Sequence, residues 1–108
     1  GESSAEIAKR VMNAREIQRK RFVAAGYPDL LTNSQLKGDL LEEMTQMDAD
    51  AKELLLSFAN RVNLSARAYH RTLRLARTIA DLQNETRVLK LHIAEALSYR
   101  RTFPQKNI

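Results

Sequence analysis

Arg67, Arg71 and Arg74 recur at i, i+4 and i+7 in a stretch dominated by helix formers, an interval that lines three guanidinium groups along one stripe of a helix. Each group is a planar fork of N–H donors suited to phosphate or carboxylate oxygens. Like charges at this spacing repel by about a few tenths of a kcal/mol per pair, so the stripe is expected to meet an anion or an acidic partner. The plainer reading is a solvated face, partly neutralised by Asp81 and by the acidic middle of the chain. Arg67 has one further property. It falls in the first turn after Ser65, a good N-cap, where a helix start holds it as a rigid cation that can be presented to a phosphate. Spacing alone does not raise Arg67 above Arg71 and Arg74.

Other chemistries find little support. The glycines at positions 1, 26 and 38 cannot make the phosphate-cradling G-x-x-x-x-G-K-[ST] loop or a G-x-G-x-x-G turn, so this domain is not expected to hold a nucleotide by either device. His70 and His92 are 22 residues apart and lack metal-ligand spacing, so each reads as a surface or internally satisfied residue. Glu42 and Glu43 are chain neighbours that point in different directions on a helix and read as solvated surface. No metal site is expected. The absence of cysteine removes disulfides and thiolate ligands and permits a reducing compartment, with the cytoplasm as default.

Helix formers run throughout, with few glycines or prolines and no alternating β-branched run, and the fold class is all-α. Ser3 followed by Glu6 has the form of a capping box and predicts a first helix over Ser4–Ala24, its apolar stripe being Ile7, Val11, Ala14 and Ile17, stopped at Gly26-Tyr27-Pro28-Asp29. Residues 30–37 read as an extended loop around Thr32-Asn33-Ser34. A short helix follows over about 40–44. Asp48 then caps a helix over Ala49–Val62 with Leu54, Leu55, Phe58 and Val62 inward, and Asn63 ends it. In the helix over about 66–83, Ala68, Tyr69, Thr72, Leu73, Leu75, Ala76, Ile79, Ala80 and Leu82 fill one broad arc, and Arg67, His70, Arg71, Arg74, Arg77 and Asp81 fill the other. A last helix over about 90–101 is expected to turn Leu91, Ala94 and Leu97 inward, and residues 102–108 to fray. Four main helices and one short one make a small bundle.

A chain of 108 residues is one domain by length. Its charge is uneven. Residues 1–25 carry six Lys/Arg against three Asp/Glu, residues 26–60 two against seven, and residues 61–108 ten against three. The basic ends can meet nucleic acid or phosphate, or can pair with the acidic middle of this domain or of a neighbour. No apolar run approaches the about 20 residues that span a bilayer, and no membrane partner is expected.

The wording of three segments adds what periodicity does not. The string from 64 to 82, Leu-Ser-Ala-Arg…Ala-Arg-Thr-Ile-Ala-Asp-Leu, the opening Gly1-Glu2-Ser3-Ser4-Ala5 with Arg10-Val11 and Ala14-Arg15, and the ending His92-Ile93-Ala94-Glu95-Ala96-Leu97-Ser98-Tyr99-Arg100 resemble the C-terminal domain of magnesium chelatase-like AAA+ ATPases, in the branch of YifB and competence protein ComM. The resemblance covers nearly the whole chain in the family's order. It implies a helical lid following an α/β ATPase core, so that residues 1–108 would be one domain of a larger ATPase. It also implies that Arg67, matched by its distance from Leu73-Arg74 and Ala76-Arg77, is the sensor-2 arginine that reaches the γ-phosphate of ATP. Arg71 and Arg74 receive no family role and stay a possible anion or partner face.

On this resemblance the domain alone is not an enzyme and needs no cofactor. ATP and Mg²⁺ would be bound mainly by the core of the parent, the lid would contact that core and neighbouring subunits of a ring, typically hexameric, and the parent would drive DNA branch migration or helicase action during competence and recombination. Magnesium chelation itself is not expected of this branch. Two other readings of the residues stay open: a free-standing helical DNA-binding module using the basic flanks, and a protein–protein adaptor bundle with a solvated arginine face.

Overall fold

A computed structural model describes residues 2–99 and contains five α-helices: α1 (Ser4–Ala24), α2 (Gly38–Thr45), α3 (Ala49–Val62), α4 (Ala66–Leu82) and α5 (Lys90–Ser98). The expected all-α bundle of four main helices and a short one is the observed architecture. The tail assigned as frayed, 102–108, and the last turn foreseen for the final helix at 100–101 lie outside the described residues.

Local chemistry sets most helix ends. The side chains of Ser3, Asp48 and Ser65 each accept a hydrogen bond from a backbone N–H three residues on, at Glu6, Ala51 and Ala68, satisfying donors that have no partner inside the helix. α1 closes with Tyr27 N–H donating to the Phe22 carbonyl and Gly26 N–H to Val23. This Schellman pattern needs a left-handed residue, supplied by Gly26 at φ +90°. α4 closes in the same way, with Glu85 donating to Ala80 and Asn84 to Asp81, and Asn84 at φ +60° takes the glycine's place.

α4 is the central element. It packs against α1, α2, α5 and a 3-10 turn, while α3 packs on α5, which accounts for the wide apolar arc of α4. Phe22, Leu36, Leu41, Met44, Leu55, Leu73, Ala76, Ile79, Val88 and Ile93 belong to one core. A short parallel bridge, Asp48 N–H to Val88 carbonyl and Val88 N–H to Gln46 carbonyl, ties the α2–α3 connection to the α4–α5 connection.

Five expectations need correction. The loop foreseen over 30–37 contains a 3-10 turn at Asn33–Gln35, because the Gln35 side chain accepts from the backbone of Leu31 and Thr32 and folds the segment back. On α1 the buried set is Ala14, Gln18 and Phe22; Val11 and Ile17 are half-buried and Ile7 is 45% exposed, because the first turns of the helix extend past the bundle. α5 is rotated from the expected phase. Leu91 and Ala94 are exposed and Leu97 half-buried, whereas His92, Ile93 and Ala96 are buried. On α3 Leu55 is buried with Ala51, and Leu54, Phe58 and Val62 are only half-buried. The largest correction concerns Arg77 and Asp81, assigned to the solvated arc of α4 and both fully buried.

Candidate functional site

α4 carries the candidate residues, and the structure separates them. Arg67, in the first turn, is exposed and makes no hydrogen bond or ion pair with any described residue. The first turns of α1, α2 and α3 hold Glu6, Asp39 and Asp50, acids that complement the positive end of a helix. The first turns of α4 and α5 hold no acid, and in α4 the Arg67 cation adds to the helix's own positive end. That pairing costs about 0.3–1 kcal/mol unless an anion offsets it.

One turn further on, Arg71 is exposed and borders a cleft of about 410 Å³ between α4, α5 and the 3-10 turn. Ala68, Thr72 and Leu75 form its α4 wall, and Ser34 and Ala96 close its sides. Arg74 also borders this cleft but is half-buried, its Nη1 donating to the Leu36 carbonyl at 3.1 Å. The regular stripe is therefore three different situations: an outward cation at the helix start, a cleft-side cation, and a cation partly used to hold the chain before α2. Arg67 does not line the cleft.

Below the stripe lies a network that reasoning on the helix wheel missed. Arg77 donates through Nε to Asp81 at 3.1 Å, through Nη1 to the carbonyls of Thr45 and Thr86 at 3.0 and 2.9 Å, and through Nη2 to the Glu85 carbonyl at 2.8 Å. Asp81 also accepts from Arg21 of α1 and from the Asn33 side chain, and Gln18 accepts from the Asn33 backbone. Burial pulls the Arg77 guanidinium below its ordinary value and Asp81 works against that shift. The network joins α1, the 3-10 turn, the end of α2 and the α4–α5 connection to α4, and so fixes the helix from which Arg67 projects. Its signal in the sequence was the i, i+4 spacing of opposite charges among alanines.

The two histidines are internal structure. His92 is fully buried, its Nδ1 accepting from Leu89 N–H at 2.9 Å and its Nε2 lying 2.9 Å from Gln83 Oε1. This geometry requires the neutral ring with hydrogen on Nε2, in keeping with burial, which pushes its pKa down. His70 is half-buried, and its ring meets Tyr69 edge to face at 6.0 Å. Burial first, then the nearby Glu42, pushes the Tyr69 hydroxyl up to about 12. No helix among the described residues is long and apolar enough to cross a membrane.

An exposed arginine at the start of a central helix, on a five-helix domain braced from below, is the setting in which the comparisons with known proteins fall. Residues 1–100 match the family described as magnesium chelatase, subunit ChlI C-terminal, and the chain belongs to that family. Among individual proteins, competence protein ComM of Haemophilus influenzae is 42% identical over 100 residues, covering 93% of this chain and 18% of that protein. The uncharacterized protein YifB of Salmonella typhimurium is 35% identical over the same shares, and an uncharacterized protein of Mycobacterium bovis is 35% identical over 94% of this chain and 20% of its own. The chain thus spans about a fifth of the length of these relatives. No solved structure matches it. It is the magnesium chelatase-type C-terminal domain of a protein like ComM and YifB.

Proposed function

We propose that this domain is the helical lid of an AAA+ ATPase that reads the state of bound ATP through Arg67 and takes part in assembling a ring of subunits, in a cytoplasmic motor that remodels DNA. The observation that carries the sensing role is an exposed Arg67, without a hydrogen bond or ion pair among the described residues, in an acid-free first turn of α4. A guanidinium placed there offers two parallel donors to phosphate oxygens, and an anion bound beside it also relieves the clash with the helix's positive end. ATP and its Mg²⁺ would be held mainly by a core domain, with Mg²⁺ neutralising phosphate charge; Arg67 would supply a cation from the lid side. Because the buried Arg77–Asp81 network locks α4 to its neighbours, a rigid movement of the lid would carry Arg67 toward or away from the phosphates as one body.

The DNA-remodelling role rests on likeness to a protein named for competence and is proposed for the parent motor. In the full-length protein, Arg67→Ala should lower ATP turnover by about tenfold or more, the scale of losing one charge-assisted contact made in the transition state, while Arg67→Lys retains part of it. Unchanged turnover together with unchanged ring assembly would overturn the proposal. The domain by itself should hydrolyse no ATP.

A further inference from the structure

Arg74 is a half-buried cation with a single tie to the protein. Its Nη1 donates to the Leu36 carbonyl at 3.1 Å, and it forms no other hydrogen bond and no ion pair among the described residues. A guanidinium carries five N–H donors in a fixed plane, so most of the fork is left without a partner beside a cleft that Arg74 helps to line. The walls of that cleft offer it no acid. α4 carries one carboxylate, Asp81, which accepts from Arg77, Arg21 and Asn33. α5 carries one, Glu95, which accepts from the Tyr99 hydroxyl, and the 3-10 turn carries none. Arg71 also borders the cleft but has an interaction of its own, so the uncompensated charge is that of Arg74. A cation partly removed from water is costly until a counterion joins it.

The rest of the cleft is largely apolar. Ala68, Leu75 and Ala96 line it, and the Thr72 hydroxyl is committed to the Ala68 carbonyl at 2.9 Å. Thr78 adds one polar point: its Oγ1 accepts from Asn33 Nδ2 at 3.0 Å, and its own proton has no acceptor among the described residues. The volume of about 410 Å³ falls within the about 300–1,000 Å³ of pockets that take small molecules, which are likewise apolar with a few placed polar groups. A bare inorganic anion would leave the apolar wall wet, and an uncharged hydrocarbon would leave Arg74 without a counterion. We propose that the cleft binds a small amphiphilic anion, an apolar body carrying one carboxylate or phosphate group. Arg74 takes the charged end through its free donors, Thr78 donates a further hydrogen bond, and the apolar body lies on Ala68, Leu75 and Ala96. This site is separate from the one proposed for ATP, since Arg67 does not line the cleft.

Fluorescence titration of the 108-residue chain with anilinonaphthalene sulfonate, an aromatic anion that brightens in apolar surroundings, tests it. The dye should bind saturably, one per chain, and octanoate or octyl phosphate should displace it, the one that competes at lower concentration identifying the charged group. Octanol, which has the same chain without the charge, should compete about tenfold less well or worse, the scale of one charge-assisted contact. Arg74→Leu should weaken binding of the anions about tenfold and leave that of octanol unchanged, a split that a loss of packing would not produce. Ala68→Phe, which leaves Arg74 in place, should fill the cleft and block dye and competitors alike, and circular dichroism of both variants checks that the helices remain. No saturable binding at about 1 mM or below, equal competition by octanol, or binding indifferent to Arg74→Leu and Ala68→Phe would overturn the proposal. Displacement of the dye by ATP would also overturn it, by making the cleft part of the nucleotide site. Failure of this site leaves the role of Arg67 standing, just as unchanged ATP turnover in full-length Arg67→Ala would leave this site standing.

Discussion

Arg77 and Asp81, one turn apart on α4, are both fully buried and bonded to each other, Nε to Oδ1 at 3.1 Å. The pair does not stand alone. Three carbonyls from two other segments occupy the remaining Arg77 donors, and Arg21 and Asn33 occupy the remaining Asp81 lone pairs. Removing either partner leaves a buried charge without its counterion, and Arg77→Met or Asp81→Asn should each cost about 3–5 kcal/mol in urea unfolding. The double variant should cost less than the sum, because the shared bond is lost only once. Arg77→Lys should not rescue, since a lysine ammonium cannot span the positions that the guanidinium fork reaches.

Arg67 should behave in the opposite way. Because Arg67 is exposed and has no partner among the described residues, its replacement by alanine should move stability by no more than about 0.5 kcal/mol, and Arg67→Glu should stabilise the domain by about 0.3–1 kcal/mol by complementing the helix end. Thermal melts of the two variants check this. A clear loss of stability in Arg67→Ala would assign the residue a structural role and remove the argument for a phosphate.

His92 predicts a pH dependence. Burial holds its pKa below the ordinary value, with Glu85, Glu95 and Asp48 opposing and Arg77 assisting, so the folded state prefers the neutral ring. The stabilisation is complete above the unfolded pKa of about 6.5. It declines as pH falls below that value toward the lower folded pKa, because the unfolded chain takes up the proton first. Urea midpoints should drop between about pH 7 and pH 5, above the range in which ordinary carboxylates titrate. His92→Gln should flatten this slope, because glutamine three residues into the helix can still accept from the Leu89 N–H.

Gly26→Ala should cost about 1–2 kcal/mol, the penalty for a side chain in the left-handed region. A Cβ at Gly26 would meet nothing within 4 Å, so the loss would be conformational strain alone. Asn84→Gly, at the equivalent position after α4, should be neutral or mildly stabilising in the same unfolding assay.

These contrasts show what the sequence could and could not convey. α3 was legible to the residue because Asp48 and Asn63 act on backbone groups within one turn. The phase of α5 was not, because Leu91-Ala94-Leu97 and Ile93-Ala96 have the same helical spacing. The choice between them came from α3 and α4 packing on either side and from His92 turning in to its own helix start. Arg77 was misplaced for a related reason. A helix wheel scores a charge by its angle, and the carbonyl of Thr45 that accepts from Arg77 comes from 32 residues away. Arg67 was legible as a cation in a first turn, but the phosphate proposed for it leaves no mark on a helix's own pattern. The cleft was invisible for want of any signal placing Ala96 opposite Ala68 and Thr72.

The α4–α5 connection has an unusual standing among the loops. Its carbonyls at Glu85 and Thr86 are held by a buried guanidinium, and Val88 gives its amide and carbonyl to the chain between α2 and α3. Surface connections are ordinarily where a lineage adds residues or an engineer splices in a tag. Here added length would pull carbonyls off Arg77 and unlatch the core, so growth of this domain over evolution should have been diverted elsewhere, to exposed turns such as the one around Pro28 and Asp29.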